Sequence, residues 1–244
     1  MAGKKQLEVC FSPSLLDNHP DRSAVVVIID IFRATSSICT AFANGVTAII
    51  PVAETSEAQA YKSKGYLVAG ERDGIILDFA DFGNSPDNFG REQIAGKTVV
   101  YTTTNGTRTI HLASVYRKTV IGSFLNARAV IDYLLAEGRN VLLLCAGWKG
   151  RFNLEDTVCA GYIASQLLES GQFETICDST LASVDLWKTA ENDLRGYIEK
   201  AAHRHRLKTK NLDGCIDHCL TFNLTGIVPV LLDGILVTAP SGKK

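Results

Sequence analysis

Residues 24–45 read A-V-V-V-I-I-D-I-F-R-A-T-S-S-I-C-T-A-F-A-N-G, and the first six of them set the fold class. An unbroken apolar run over 24–29, rich in β-branched side chains, has no polar face to turn to water, so it suits a central strand covered on both sides. Asp30 stands at the carboxyl end of that strand and Arg33 follows three residues later. Thr35, Ser36 and Ser37 offer caps for a helix over 36–44 that stops at Gly45, a usual residue just past a helix end. In open α/β sheets ligands bind beyond the carboxyl ends of the strands, which marks Asp30 and Arg33 as site candidates. The same two residues also suit a buried Asp that caps the helix and pairs with the Arg. This unit alone does not separate the two readings.

Outward from this unit the chain alternates strand and helix. Alternating or apolar runs predict strands over 7–11, 48–52, 66–69, 97–101, 119–121, 140–145 and 175–177. Helices are predicted over 55–64, closed by Gly65, and after G-N-S-P, where Ser85 at the N-cap and Pro86 at the first helical position start a helix well. Others follow T-T-T-N-G-T-R as far as 113, end near 136 before Gly138, and cover 155–170. The stretch 180–208 has helical spacing with a break at Gly196, and 213–220 adds a turn or two. Asp233-Gly234 between the apolar halves of 228–237 is a strong hairpin signal, placed at the C-terminal edge of the sheet. The pattern predicts a single α/β/α domain over 1–244, three-layered around a mostly parallel central sheet, with a C-terminal antiparallel hairpin. The strands at 25–29 and 141–145 each lead into an acidic loop and a Cys/Ala-rich helix, which allows an internal duplication. Residues 242–244 are expected to fray.

The 244 residues are 46% hydrophobic and 21% charged, an ordinary composition for a water-soluble domain, and the net charge of −1 gives no pull toward nucleic acid or an anionic membrane. M-A-G-K-K-Q is basic, but no apolar h-region follows it, so no signal peptide is expected. No apolar run reaches the roughly 18–20 residues of a bilayer span. Seven cysteines is an odd number, and Cys39, Cys145, Cys159 and Cys177 sit in apolar segments, as reduced core cysteines of a cytoplasmic protein do. Oligomeric state stays open, with a homo-oligomer allowed.

Polar residues recur at the ends of successive strands: Asp30 and Arg33, Glu71 and Arg72, residues 102–107, Ser123 and Asn126, then Lys149, Arg151, Glu155 and Asp156. A parallel sheet would bring those ends to one rim. Carboxylates (Asp30, Glu71, Glu155, Asp156) mixed with cations (Arg33, Arg72, Lys149) suit a hard divalent metal and an anionic substrate, since Mg²⁺ prefers carboxylate and phosphate oxygens. Thr103, Thr104, Asn105, Gly106 and Thr107 precede a helix and could give N–H and hydroxyl donors to a phosphate or sulfonate. They equally suit a turn with an N-cap, and Glu155-Asp156 equally suit the positive end of a helix.

Several signatures are missing: G-x-x-x-x-G-K-[ST], G-x-G-x-x-G and H-E-x-x-H. Asp30 has no second Asp two residues on, as an aspartyl-phosphate scheme would need. Cys145 and Arg151 have the C-x₅-R spacing of cysteine-dependent phosphatases, but Phe152 stands where that motif wants a hydroxyl. This leaves a thiolate mechanism as an alternative. Cys215, His218 and Cys219 share a helical face without the second ligand pair that zinc needs, so core packing is expected of them. H-R-H-R-L-K-T-K over 203–210 reads as the solvated end of a helix.

Taken together and in order, D-I-F-R-A-T-S-S-I, A-G-E-R, G-N-S-P, T-T-T-N-G-T and N-L-E-D-T-V-C-A-G resemble the 2-phosphosulfolactate phosphatase family of coenzyme M biosynthesis. The likeness runs over 25–161, and V-P-V-x-x-D-G over 228–234 is similar too. T-F-N-L-T-G before it departs from the pattern in lacking acidic residues. The resemblance implies a Mg²⁺-dependent phosphatase of α/β/α fold that hydrolyses the phosphate ester of a sulfonated hydroxy acid, 2-phosphosulfolactate or a similar compound. By motif it implies catalytic roles for Asp30, Arg33, Glu71, Arg72, Glu155 and Asp156. It implies substrate contacts from Asn84, Ser85, Thr103, Thr104, Asn105, Gly106 and Thr107. To these the strand-end reading adds Ser123, Asn126 and Lys149. Asp30, Glu155 and Asp156 are expected at the metal, directly or through water, with Glu71 a candidate base and Arg33, Arg72 and Lys149 neutralising phosphate and sulfonate. The rival readings are the Cys145 thiolate phosphatase and a non-catalytic binder of phosphorylated or sulfonated acids.

Overall fold

The computed structural model describes residues 3–239, so the expected fraying at 242–244 lies outside the described residues. The strands are β1 (Lys5–Cys10), β2 (Val25–Ile29), β3 (Ala48–Pro51), β4 (Leu67–Arg72), β5 (Ile75–Ile76), β6 (Thr98–Thr102), β7 (Lys118–Gly122), β8 (Val141–Cys145), β9 (Phe173–Glu174), β10 (Pro229–Leu232) and β11 (Ile235–Thr238). The helices are α1 (Ala34–Ala43), α2 (Thr55–Ser63), α3 (Arg91–Ile94), α4 (Gly106–Ala113), α5 (Ala127–Glu137), α6 (Leu154–Glu169), α7 (Asp178–Ala190), α8 (Leu194–Ile198), α9 (Ala202–Thr209) and α10 (Ile216–Cys219). Short 3₁₀ turns cover Pro13–Asn18, Pro86–Asn88 and Phe124–Asn126.

The apolar run at 25–29 is the middle of one block of the sheet. β2 pairs in parallel with β7 on one side and β8 on the other, with Val25 opposite both Lys118 and Val141. All five of its side chains are buried. Val25, Val27 and Ile29 face a core built with α5 and α6, which supply Val130, Ile131, Leu134, Val158, Ile163 and Leu167. Val26 and Ile28 face the opposite core, where Ile38 and Phe42 of α1 and Ile110 of α4 pack. A strand with apolar side chains on both faces therefore has helices on both faces, and the three layers follow.

The sheet order is β5-β4-β6-β3-β11-β10-β7-β2-β8-β1-β9. The hairpin at Asp233-Gly234 forms as expected, both turn residues having positive φ (48° and 80°). It does not lie at an edge. β10 pairs with β7 and β11 with β3, so the last strands of the chain fill the middle of the sheet. The pairings β7–β10, β10–β11 and β11–β3 are all antiparallel. Three reversals leave the β4/β6/β3 block opposite in sense to the block that holds β2 and β8. A single parallel array gathering every carboxyl end at one rim is therefore not what forms. The ends of β2 and β6 meet all the same: at Gly106, in the turn after β6, an added Cβ would lie 3.0 Å from Asp30 Oδ2.

Local differences have local causes. The hydroxyls of Thr35, Ser36 and Ser37 do not cap α1, which begins at Ala34, ahead of them. They tie the surrounding backbone instead: Ser36 Oγ donates to Ile31 O at 2.9 Å, and Ser37 Oγ to Asn84 O at 2.5 Å. Ser85 and Pro86 start a 3₁₀ turn with a reciprocal capping box rather than a longer helix. The helical stretch expected over 180–208 is three helices, and Gly196 lies inside the second; the breaks fall on either side of it. The short strand expected over 175–177 forms at Phe173–Glu174, beside β1.

α6 and α7 approach most closely at Gly161, where an added Cβ would lie 1.9 Å from the Ser183 carbonyl oxygen. Gly161→Ala must push the two helices apart and is expected to cost about 1–3 kcal/mol, seen as a lower urea midpoint at unchanged slope. An unchanged midpoint would mean that the contact is not rigid.

Candidate active site

The loop after β2 carries Asp30 into a cavity of about 50 Å³. Asp30, Arg33, Glu71, Asn84, Thr103 and Asn105 line it together with Phe32, Trp148, His203 and Arg206. Residues from the ends of β2, β4, β6 and β8 thus converge with the 3₁₀ turn region near Ser85 and with α9, and each is held there by a specific local contact.

Asp156 joins the two central strands. In the first turn of α6, fully buried, it accepts the Ile31 N–H at 2.9 Å on one oxygen and the Gly147 N–H at 3.2 Å on the other. Ile31 follows β2 and Gly147 follows β8, so one carboxylate fixes both loops. Gly147 is required for this, since its φ is +60° and a Cβ there would meet Arg151 O at 2.1 Å. Burial raises the Asp156 carboxyl well above its usual range, with Glu155 and Asp30 adding to the rise against the two N–H donors. Its oxygens are spoken for, and it braces the site more readily than it ligates.

Glu155, also fully buried, is differently placed. Oε1 accepts the Nδ1–H of His203 at 2.8 Å, while Oε2 has no hydrogen-bond partner. A buried carboxylate oxygen without a partner is costly unless something absent from the protein chain compensates it. Asp30 is its neighbour in charge: burial, then Glu155 and Glu71, push the Asp30 carboxyl up to about 7, although His203 pulls the other way. Carboxylates crowded in this way are relieved by a hard cation. Among the described residues no three His, Cys, Asp or Glu side chains form a ready-made ligand set. The residues suit a Mg²⁺ held by one or two carboxylates and completed by substrate oxygens and water.

Arg33 is buried at the cavity wall and makes no ion pair among the described residues. The alternative in which Asp30 and Arg33 pair with each other is therefore not what forms. The Phe32–Arg33 peptide bond between them is cis.

Glu71 organises the loop opposite. It accepts the Thr104 N–H at 2.8 Å, the Gly74 N–H at 2.6 Å and the Thr104 hydroxyl at 3.2 Å, so neither oxygen is free in the way a base requires. Thr103 and Thr107 bond each other through backbone and hydroxyl at the start of α4. Gly106 lets this turn come close, for a Cβ would lie 2.5 Å from Ala34 Cβ and 3.0 Å from Asp30 Oδ2.

Other candidates lie outside the cavity. The Arg72 guanidinium donates to Glu71 O, Ala53 O and Thr102 Oγ1 and is used up in bracing strand ends. Lys149 pairs with Asp73 at 2.8 Å, half exposed, over a neighbouring groove that it shares with Thr104. Ser85 lines a second small groove with Arg33 and Asn84. Ser123 and Asn126 form a buried capping box, with Asn126 Nδ2 donating to Ile121 O and Ile227 O, which anchors the segment before β10. Cys145 lies in the core, where burial raises its thiol well above the usual value, and Arg151 points to solvent. The thiolate alternative thus lacks an accessible nucleophile. His218 Nε2 bonds Thr40 Oγ1 at 2.9 Å, and Cys215 and Cys219 pack in the core.

The segment read as a solvated helix end is the main correction. α9 turns His203 and Arg206 toward the cavity and buries Leu207 beside them, and Lys210 just past its end lines the cavity too. The signal was in the sequence: positions 203, 206, 207 and 210 fall on one helical face, with Leu207 among the basic residues. His203 lies between the rings of Phe32 and Trp148, at 6.2 and 5.6 Å between centroids.

Comparison with known proteins agrees with the motifs. Residues 10–234 match the family model described as 2-phosphosulpholactate phosphatase. A protein of Clostridium perfringens named "Probable 2-phosphosulfolactate phosphatase" is 35% identical over 245 residues, 98% of either chain. Proteins of the same name from Caldicellulosiruptor saccharolyticus and Thermotoga maritima are 37% and 36% identical, over 82% and 89% of this chain and 85% and 93% of theirs. No helix among the described residues is long and apolar enough to cross a membrane.

The Asp30 carboxyl sets a pH dependence. Folded, it keeps its proton to about pH 7, whereas in the unfolded chain it loses it near about pH 4. Between those values the folded state binds more protons, so this group's contribution to stability falls as pH rises. In EDTA, Asp30→Asn is expected to match the parent at pH 4 and to exceed it at pH 8, by on the order of a few kcal/mol. Thermal unfolding across that range measures it, and parallel curves for the two proteins would assign the titration elsewhere.

Proposed function

The chain belongs to the 2-phosphosulpholactate phosphatase family, and on that premise we propose that it is a Mg²⁺-dependent phosphoric monoester hydrolase acting on 2-phosphosulfolactate or a similar phosphorylated hydroxy acid. The observation that carries the reading is the pairing of needs in one cavity. Asp30 in the cavity wall and Glu155 buried beside it are crowded carboxylates without a cation, and the buried guanidinium of Arg33 in the same wall lacks an anion. A phosphate ester with its metal supplies both.

In this reading Asp30 and Glu155 hold Mg²⁺, and Asp156 keeps their loops in register through Ile31 and Gly147. When bound, the ion would polarise the phosphoryl group and make a water molecule a better nucleophile. Arg33 neutralises charge on the transferring phosphoryl, and charge stabilisation there supplies most of the rate gain in such reactions. The turn before α4 offers Thr103 and Asn105 at the cavity wall as further donors. His203 acts through Glu155: it is a positioning residue, fixing the carboxylate by the 2.8 Å hydrogen bond and leaving the other oxygen free. Asp30, Arg33 and Glu155 are all buried, which strengthens each of these charge contacts. The proposal extends to the cytoplasm and to coenzyme M biosynthesis. Seven unpaired cysteines fit a reducing compartment, and the pathway is what the resemblance of the ordered motifs implies.

Phosphate release from phosphorylated hydroxy acids, with and without Mg²⁺, tests the reading. Turnover should need the metal, and Cys145→Ser should retain it. His203→Ala should weaken Mg²⁺ activation by about 10–100-fold, read from the metal concentration for half-maximal rate. Full activity in EDTA would overturn the metal assignment, and loss of activity in Cys145→Ser would restore the thiolate mechanism.

A further inference from the structure

Arg206 is the feature of this cavity that the proposed reaction leaves unused. Its guanidinium lies over the Trp148 ring, 4.5 Å from the centroid, which fixes the plane of the group. Two of its nitrogens, Nε and Nη2, are buried and have no hydrogen-bond partner. Those two belong to the same edge of the guanidinium: their N–H bonds run parallel, in the spacing that matches two oxygens of one carboxylate, sulfonate or phosphate. Glu155 and Asp156 are near enough to attract the charge, but neither forms an ion pair with it. Asp156 is committed to backbone N–H groups and Glu155 to His203. A buried, planar, pre-oriented donor pair without an acceptor is costly to maintain. It is the arrangement expected of a receptor whose acceptor arrives with the ligand.

This edge comes from a different element than the groups assigned to the phosphate. Asp30 and Arg33 come from the loop after β2, whereas Arg206 comes from α9, a different wall. Lys210, just past the end of α9, lines the same cavity but is held by the Asp73 carbonyl. Leu207 between them is apolar, so the wall offers one free anion-binding edge set in a less polar surround. An ester whose only charge is its phosphate would leave that edge empty.

We propose that the Nε/Nη2 edge of Arg206 binds a second anionic group of the substrate, a sulfonate or carboxylate remote from the phosphate, and so restricts the enzyme to phosphomonoesters that carry one. The inference rests on the reading of this cavity as a phosphomonoesterase site, and its test keeps the two separable. Wild type, Arg206→Gln and Arg206→Lys are titrated calorimetrically with 2-hydroxyethanesulfonate and with lactate. The same proteins are assayed on three phosphomonoesters, bearing a sulfonate, a carboxylate or neither. Arg206→Gln should weaken binding of the matching anion, and raise KM for the matching ester, by about 10–100-fold, the loss of a charge-assisted hydrogen-bond pair. The ester bearing neither should change less than about threefold, since it makes no use of the pair. Arg206→Lys keeps the charge without the fork and should fall between. Whichever ester and ligand respond identify the anion. Equal losses on all three esters would make Arg206 a structural residue, and no loss on any would remove it from recognition; either result overturns the proposal. If wild type hydrolyses none of the esters, the phosphatase reading fails while the titrations still decide the role of Arg206.

Discussion

The site depends on one buried carboxylate whose two oxygens are committed to the backbone. Asp156 takes a backbone N–H from the end of each central strand. The direction of each loop beyond it follows. The Ile31 side sends Asp30 and Arg33 into the cavity, and the Gly147 side sets Trp148 against His203 and Arg206. Burying an acid this deeply is expensive unless its oxygens are satisfied, and two main-chain donors at fixed positions satisfy them in a single arrangement. Loops joined in that way have little freedom to differ from one molecule to the next, which is what an array of charged groups a few ångströms apart requires.

The electrostatic design sets neighbours of like charge side by side and gives each a different counterweight. Asp156 has two backbone N–H donors, Glu155 has His203 on one oxygen, and Asp30 has the charge of His203 and the Ala34 N–H. Burial raises the carboxyls of both Asp30 and Asp156 in spite of these partners. On the cationic side the sorting is by partner. Arg72 is consumed by carbonyls, Lys149 by Asp73, and Arg33 and Arg206 have no ion-pair partner among the described residues. Residue type alone would have given these four cations equal standing, and only packing ranks them.

Much of this was legible in the sequence because it rests on local chemistry. The apolar run at 25–29 specified a doubly covered strand, Asp-Gly specified the hairpin, and Asp30 and Glu155 were identifiable from their places after the two most apolar strands. What was not legible depends on long-range pairing. Nothing in 228–238 says that β10 and β11 will separate two parallel blocks, because an edge and a centre ask for the same alternation in a short antiparallel strand. In the basic stretch at 203–210 the one signal, Leu207 on the face of His203 and Arg206, is outweighed by the charge around it. Charge predicts exposure on average, and α9 departs from that average by turning His203 and Arg206 to the cavity. Ser123 and Asn126 show the opposite case, polar residues at a strand end whose task is to satisfy backbone groups under the hairpin.

The central position of the hairpin has a consequence for how the protein comes into being. Cavity-lining residues arise from both parallel blocks, Asp30 from one and Glu71 and Thr103 from the other, and the strands that join those blocks are synthesised after every strand they join. During translation the earlier strands can pair within each block, but β7 and β3 expose unpaired edges until residues 229–238 have left the ribosome. Contacts between segments so distant in the chain form late and slowly. A nascent chain or a C-terminal truncation therefore has two half-sheets and two half-sites, with open strand edges that favour association with other chains. Competence arrives in one step, when the final hairpin closes the sheet.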